Sequence, residues 1–307
     1  MKVLNIGSLN IDYVYNVSHI VRPGETIATS DMNIYPGGKG INQSVALAKA
    51  GAEVYHCGLI GEDGKLFLDE CKKYGVNSDY IKVVGTKTGH TIIQIDENAQ
   101  NCILLYGGAN QKLTEEYIDE VIEHFDKGDV LLLQNEVNNI PYIVDRAYDK
   151  GMIIALNPSP FNEKLDEVDM SKISIFILNE IEGEELTGCS KPGDIISCMI
   201  RDYSGARVVL TLGGDGAIYA DKDNYVHQPI FKVDAVDTTA AGDTFTGYFL
   251  AGLMEGMNIK DVLRLSAKAA SIAVTRKGAI PSIPYRKEVK MTESQMHYKS
   301  YTKLKWK

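Results

Sequence analysis

Short apolar runs alternate with amphipathic stretches along almost the whole chain. KVLNIG at 2–7, EVYHCGLIG at 53–61, DVLLLQ at 129–134, MIIALNP at 152–158, ISIFILN at 173–179 and RVVLTLG at 207–213 read as strands. Between them, INQSVALAKAG, LTEEYIDEVIEHF, NIPYIVDRAYDKG and the DIISCMIRDYS run repeat their apolar residues at helical spacing. Strands that are apolar on both faces and separated by helices need cover on both sides, which a parallel sheet between helical layers provides. The pattern predicts an α/β fold: a mostly parallel central sheet covered by helices on both faces.

Two segments depart from it. Residues 11–36 and 86–107 are strand-like with no intervening helix, and the second reads as a hairpin turning at DENAQN. A few strands cannot make a core of their own, so they must pack on the main body, a ligand or a second copy. We expect a small β-sheet lid from 11–36 and 86–107 on a large α/β unit from 1–10, 37–85 and 108–307. The lid's exposed apolar face predicts a homodimer.

Composition narrows the function. With 307 residues and 44% hydrophobic content the chain is long enough for a well-buried core. A formal charge of −9 argues against a nucleic-acid binder, so a phosphorylated ligand needs a local positive site. The basic run at the end (YKSYTKLKWK) reads as a solvated terminus. Five cysteines without CxxC spacing and six scattered histidines suggest neither zinc nor a disulfide framework, and a reducing compartment. MKVLNIGSLN lacks the apolar run of a signal peptide and no segment reads as membrane-spanning, which predicts a cytoplasmic protein.

Several short motifs carry candidate chemistry. After the first strand comes GSLNID rather than the GxGxxG of a dinucleotide site. Asn10 and Asp12 alternate onto one side of an extended chain and suit neighbouring hydroxyls, although an Asx turn uses the same residues. In YPGGKGINQ, Gly38 permits close backbone approach, Lys39 adds charge and Asn42 lies near a helix start; a flexible turn fits equally. Glu136 in LLLQNEV falls just past a strand's carboxyl end, where open α/β sheets bind ligands. Asn179 and Glu182 in ILNEIEGEE are spaced either for Mg²⁺ held largely through water or for plain helix capping. VLTLGGDGAIYA is a glycine turn between two strands, able to face phosphates or simply to close a hairpin. AVTRKGAIPSIP ends a helix begun near Asn258, and its carbonyls, Ser282 and the Asp237 carboxylate suit a cation. Finally, AVDTTAAGDTF leads into a helix with Phe245, Phe249 and Leu253 as its stripe. Ala240, Ala241 and Gly242 form its entrance, and Asp243 is either an N-cap or a carboxylate beside an anion site.

Each motif alone is weak, but their set and order resemble the ribokinase-like sugar-kinase family up to about Pro284. DTTAAGD and GGKG mark the wide family, while GSLNID and VTRKGAIPS point to its ribokinase branch. The resemblance implies ATP-dependent phosphorylation of a free sugar on its primary hydroxyl, D-ribose to D-ribose 5-phosphate, with Mg²⁺ and K⁺. It implies sugar contacts at Asn10, Asp12, Gly38, Lys39, Asn42 and Glu136, with Thr91 and Ile103 where the lid closes. Asp243 matches the catalytic base and the turn of Ala240, Ala241 and Gly242 the anion hole. Asn179 and Glu182 match the Mg²⁺ pair, and Thr211, Gly213 and Gly216 the nucleotide turn. Asp237, Thr239, Ala273, Arg276, Gly278 and Ser282 match a potassium site. Ala240 stands where the family commonly has glycine, Ile41 where alanine is usual, and Leu66 where a second glycine is frequent; Ile41 is expected to tighten the sugar pocket. Other acceptors (2-deoxyribose, fructose, a nucleoside, a sugar phosphate) and a catalytically silent sugar or nucleotide sensor remain as alternatives.

Overall fold

The computed structural model describes residues 1–29, 31–98 and 100–291; the basic terminal run lies outside them. Its strands, in chain order, are β1 (Val3–Ile6), β2 (Asn10–Asn16), β3 (Asp31–Gly37), β4 (Val54–Ile60), β5 (Asn77–Val83), β6 (Gly89–Ile95), β7 (Asn101–Tyr106), β8 (Val130–Gln134), β9 (Ile153–Asn157), β10 (Ile175–Asn179), β11 (Arg207–Thr211), β12 (Ala217–Ala220) and β13 (Tyr225–Gln228). The helices are α1 (Lys39–Ala50), α2 (Leu66–Tyr74), α3 (Glu115–Ile122), α4 (Ile140–Lys150), α5 (Glu180–Thr187), α6 (Pro192–Asp202), α7 (Ala241–Met254), α8 (Ile259–Ala273) and α9 (Arg286–Met291).

Nine strands form one sheet in the order β13-β12-β11-β10-β9-β8-β1-β4-β5. All neighbours from β5 to β11 pair in parallel, and β12 and β13 close that end as an antiparallel hairpin. Alternate strand residues feed two cores. Val130 and Leu132 of β8 join the layer of α1, α2, α7 and α8. Leu131 and Leu133 join that of α3, α4 and α6. This two-sided burial is why the strands read as continuous apolar runs. β5 escaped the pattern because it is an edge strand whose sequence, NSDYIKV, buries only Ile81.

A second sheet, ordered β3-β2-β6-β7, stands apart from the first. Its centre is the parallel pair β2–β6, and β6–β7 is the expected hairpin. One face carries Asp12 and Thr91 side by side; the opposite face carries the row Ile34, Ile92 and Leu104, exposed by 52, 41 and 68%. Ile41 is fully buried among the α1-side core residues. Leu66 opens α2 and packs against the same core, which gives that departure a structural role.

Candidate active site

The order in which strands are added reverses between β1 and β8: β4 and β5 follow on one side of β1, β8 to β11 on the other. Open α/β sheets bind ligands outside the carboxyl ends of strands at such a point. Ser8, just beyond β1, donates through its hydroxyl to Glu136 Oε2, just beyond β8. The Lys39 backbone N–H, at the first position of α1, donates to the same oxygen at 3.0 Å. Gly38 precedes it at φ 100°, where a side chain would also press on Ser8 and Asn10. Asn10 and Glu136 line one cleft of about 270 Å³ together with Leu105, Asn110, Gln111 and Lys164. Asn110 fixes Asn10, donating to its Oδ1 at 2.7 Å.

Asp12 receives the Thr91 hydroxyl at 2.5 Å across β2 and β6. Burial pushes its carboxyl up to about 6, the Thr91 bond opposes this, and the Glu136 charge adds to it. Glu136 is likewise raised by burial, with the Lys39 charge pulling back. Burial alone would lower Lys39, but the charges of Asp243, Glu136 and Glu182 outweigh it and hold the ammonium above its ordinary value. Three carboxylates from three parts of the chain thus act electrostatically on one lysine. Ile103 lies outside this group: it is 54% exposed, two cross-strand pairs beyond Leu105, which does line the cleft.

Asp243 is not a helix cap. Ala240 occupies the N-cap position with no side-chain bond, at φ 59° in the left-handed region. Asp243 is the third residue of α7 and is buried, 8% exposed. Its Oδ2 accepts from Asn42 Nδ2 at 3.0 Å and its Oδ1 from Gln43 Nε2 at 2.9 Å. Asn42 Oδ1, also buried, accepts no hydrogen bond among the described residues. Ala241 N–H already bonds to Thr238 O at 3.2 Å, so Gly242 and Asp243 carry the entrance N–H groups with no intrahelical carbonyl. A Cβ on Gly242 would meet nothing within 4 Å. That open surface, at the positive end of α7, fits an anion.

Asn179 and Glu182 form a reciprocal capping box. The Glu182 N–H donates to Asn179 Oδ1 at 2.9 Å, and Glu182 accepts from Asn179 N and Nδ2, both at 3.0 Å. Capping and ion-holding readings meet here, since each carboxylate oxygen keeps a further lone pair. Among the described residues no cluster of three metal-ligating side chains exists, so a divalent ion would be held through phosphate and water. Asn179 pairs in register with Thr211 on β11. Beyond it Gly213, at φ 49°, faces open space, whereas Gly216, at φ 101°, lies against Gln228 O, where a Cβ would sit 2.0 Å away. The first glycine leaves a surface free; the second allows a tight turn.

At the end of α8, Asp237 accepts from Thr239 N at 2.9 Å, Thr239 Oγ1 at 2.6 Å and Gly278 N at 2.9 Å. Burial raises its carboxyl, but these bonds and Lys277 outweigh burial and hold it below the usual range. Ala273 O accepts from Arg276 N, and the Arg276 guanidinium turns away to Glu288. Ser282 bonds to Ala279 O rather than to Asp237. Asp237, Thr239 and Gly278 therefore form one cluster, and the other three residues flank it.

Fold and site define a carbohydrate kinase. The chain matches the pfkB family carbohydrate kinase model over residues 1–286 and belongs to that family. It is 35% identical to the ribokinase of Haemophilus influenzae, covering 92% of this chain and 95% of that one. It is 32% identical to a deoxyribokinase of Salmonella typhi, over 92 and 96% of the two chains. The structure of Arabidopsis thaliana ribokinase complexed with ribose and ATP superposes with a TM-score of 0.83 at 29% identity, covering 94 and 97%.

Proposed function

We propose that the chain phosphorylates D-ribose on its primary hydroxyl with ATP, giving D-ribose 5-phosphate. The observation that carries this reading is Asp243, buried at the entrance of α7 between two amide donors and within electrostatic reach of Lys39. In this reading Asn10, Asp12, Gly38, Lys39, Asn42 and Glu136 bind the sugar, with Thr91 and the Ile103 strand on the lid side. Asp243 removes the hydroxyl proton as the oxygen attacks the γ-phosphorus. The turn of Ala240, Ala241 and Gly242 faces the charge on the transferring group. Phosphoryl transfer depends mainly on such positioning and charge stabilisation.

Thr211, Gly213 and Gly216 would hold ATP, and Asn179 and Glu182 would orient Mg²⁺ through water. Bound Mg²⁺ neutralises charge on the phosphates. Asp237, Thr239 and Gly278, flanked by Ala273, Arg276 and Ser282, would hold K⁺, which supplies a fixed positive charge behind the α7 entrance. The ionised Asp237 carboxylate supports that assignment. We divide the chain into a large unit (1–10, 37–85 and 108–307) and a lid (11–36 and 86–107), with dimerisation through the lid. Among the described residues no helix is long and apolar enough to cross a membrane, and we assign the enzyme to the cytoplasm.

ADP release from Mg·ATP, compared across ribose, 2-deoxyribose, fructose, fructose 6-phosphate and adenosine, tests the reading. Ribose should give the highest kcat/KM. The 32% identity to a deoxyribokinase makes 2-deoxyribose the competitor to watch. Asp243→Ala should lower kcat by about 10²–10⁴-fold; unchanged turnover would remove Asp243 as the base.

A further inference from the structure

Behind Asp243 lies a chain of buried amides. Asn5 Nδ2 donates to Gly40 O at 2.7 Å and to the Ser44 hydroxyl at 2.8 Å. Gln134 Nε2 donates to Asn5 Oδ1 at 3.1 Å and to Gln43 Oε1 at 2.7 Å. Gln43 Nε2 donates to Asn157 Oδ1 at 3.0 Å and to Asp243 Oδ1 at 2.9 Å. Asn157 Nδ2 closes the chain on Ile177 O at 2.8 Å. Asn5, Gln43 and Gln134 are each fully buried.

The direction of this relay is forced from both ends. A backbone carbonyl can only accept, so Gly40 O fixes which end of Asn5 carries nitrogen. Asn5 Oδ1 must then accept, so Gln134 presents its NH₂, and Gln43 turns its oxygen to that group. Independently, Ile177 O fixes Asn157, whose Oδ1 must also find a donor, and that donor is Gln43. Both anchors give the same answer: Gln43 offers NH₂, and its second proton goes to Asp243. The relay is kept although Gln134 Oε1 is left buried with no donor among the described residues.

We infer that Gln43 is a positioning residue for phosphoryl transfer: a donor of fixed direction that holds Asp243 Oδ1 as an acceptor and sets the orientation of the carboxylate toward the sugar hydroxyl. Asn42 supplies the second donor from the adjacent position of α1, so the carboxylate is gripped at both oxygens and cannot rotate. The inference rests on Asp243 being the base.

The test is steady-state kinetics of Gln43→Met, Gln43→Glu and Gln134→Glu, each alone and with Asp243→Ala, alongside thermal melts and KM for ribose and ATP. Gln43→Met removes the donor, and Gln43→Glu keeps the shape with at most one donated proton in place of two. Gln134→Glu acts one link away, leaving Gln43 Oε1 without its donor. Misplacing a reacting group by about 1 Å can cost on the order of 10²-fold. We expect kcat to fall about 10- to 100-fold in all three single variants with both KM values within about threefold. In the Asp243→Ala background none should lower kcat further. Wild-type kcat in folded Gln43→Met and Gln43→Glu, or a loss that persists undiminished without Asp243, overturns the inference. Should Asp243→Ala itself keep wild-type turnover, it is the base assignment that fails.

Discussion

Asn42 Nδ2 lies 3.0 Å from Asp243 Oδ2, joining the first turns of two helices whose residues are 201 positions apart. The amide is thereby oriented, and its oxygen is left buried without a donor among the described residues. In the proposed reading a sugar hydroxyl would satisfy that oxygen. Removing one such polar partner costs about 1–3 kcal/mol. Asn42→Leu should therefore raise KM for ribose and lower kcat/KM about 10- to 100-fold, while KM for ATP stays near wild type. Initial-rate kinetics with each substrate varied will check this.

Asp12 gives a pH signature. Its carboxyl is raised from 3.8 to about 6, chiefly by burial. It is charged above about pH 6, where in the proposed reading it would accept hydrogen bonds from sugar hydroxyls, so kcat/KM for ribose should fall as pH drops through 6, and Asp12→Asn should remove that limb. Stability has the opposite sign. A folded-state value above the unfolded one means that ionisation disfavours the fold, so this contribution is largest below 3.8 and is lost as pH rises to 6. The displacement corresponds to about 3 kcal/mol at neutral pH as an upper bound. Asp12→Asn should accordingly melt no lower than wild type at pH 8, as calorimetry will show.

Gly242 separates fold from chemistry. It lies in the first turn of α7, and a Cβ there would touch nothing within 4 Å. Alanine is favoured over glycine in helices by roughly 0.5–1 kcal/mol. Gly242→Ala should keep or slightly raise Tm yet lower kcat, because the methyl group intrudes on the anion surface. A normal kcat would show that the phosphoryl group sits elsewhere.

Asp237 tests the monovalent cation. Activity in potassium buffer should exceed that in sodium-only buffer, and Asp237→Ala should abolish the difference. Equal rates in both salts would reject the assignment.

The row Ile34, Ile92 and Leu104 lies on the face of the second sheet away from Asp12 and Thr91. In the proposed lid-to-lid dimer this row would be covered, and a charge placed on it would be costly. Leu104→Lys should convert a dimer into a monomer by light scattering, with the large sheet's fold intact by circular dichroism.

The main sheet was legible because its strands are buried on two faces, so VLLLQ and IFILN stand out as apolar runs. β5 was not, since an edge strand has one covered face and NSDYIKV carries little contrast. Lys39 and Asn42 stood out because they follow glycines closely, and Glu136 because it falls just past a strand's carboxyl end. Asn5, Gln134 and Asn157 carry a legible signal, since VLNI, VLLLQ and IIALN each have an uncharged amide within or at the end of a buried strand, whereas Gln43 on α1 has none. Such groups require partners. What a sequence cannot supply is the pairing, which depends on strand order. Leu105, rather than Ile103, lining the cleft depended on how far β7 extends past the site, a matter of register.

The second sheet also has a history within each folding event. Its central pair joins β2 to β6 in parallel, with Asp12 bonded to Thr91 79 positions later. A hairpin can close locally, but this pair must wait until the chain between them has been placed, including α1, β4 and β5. Pairings of such long range are slow because loop closure precedes any gain from contact. The proposed lid is thus expected to assemble after the large sheet, so an emerging chain should have no capacity to trap substrate until that scaffold is complete.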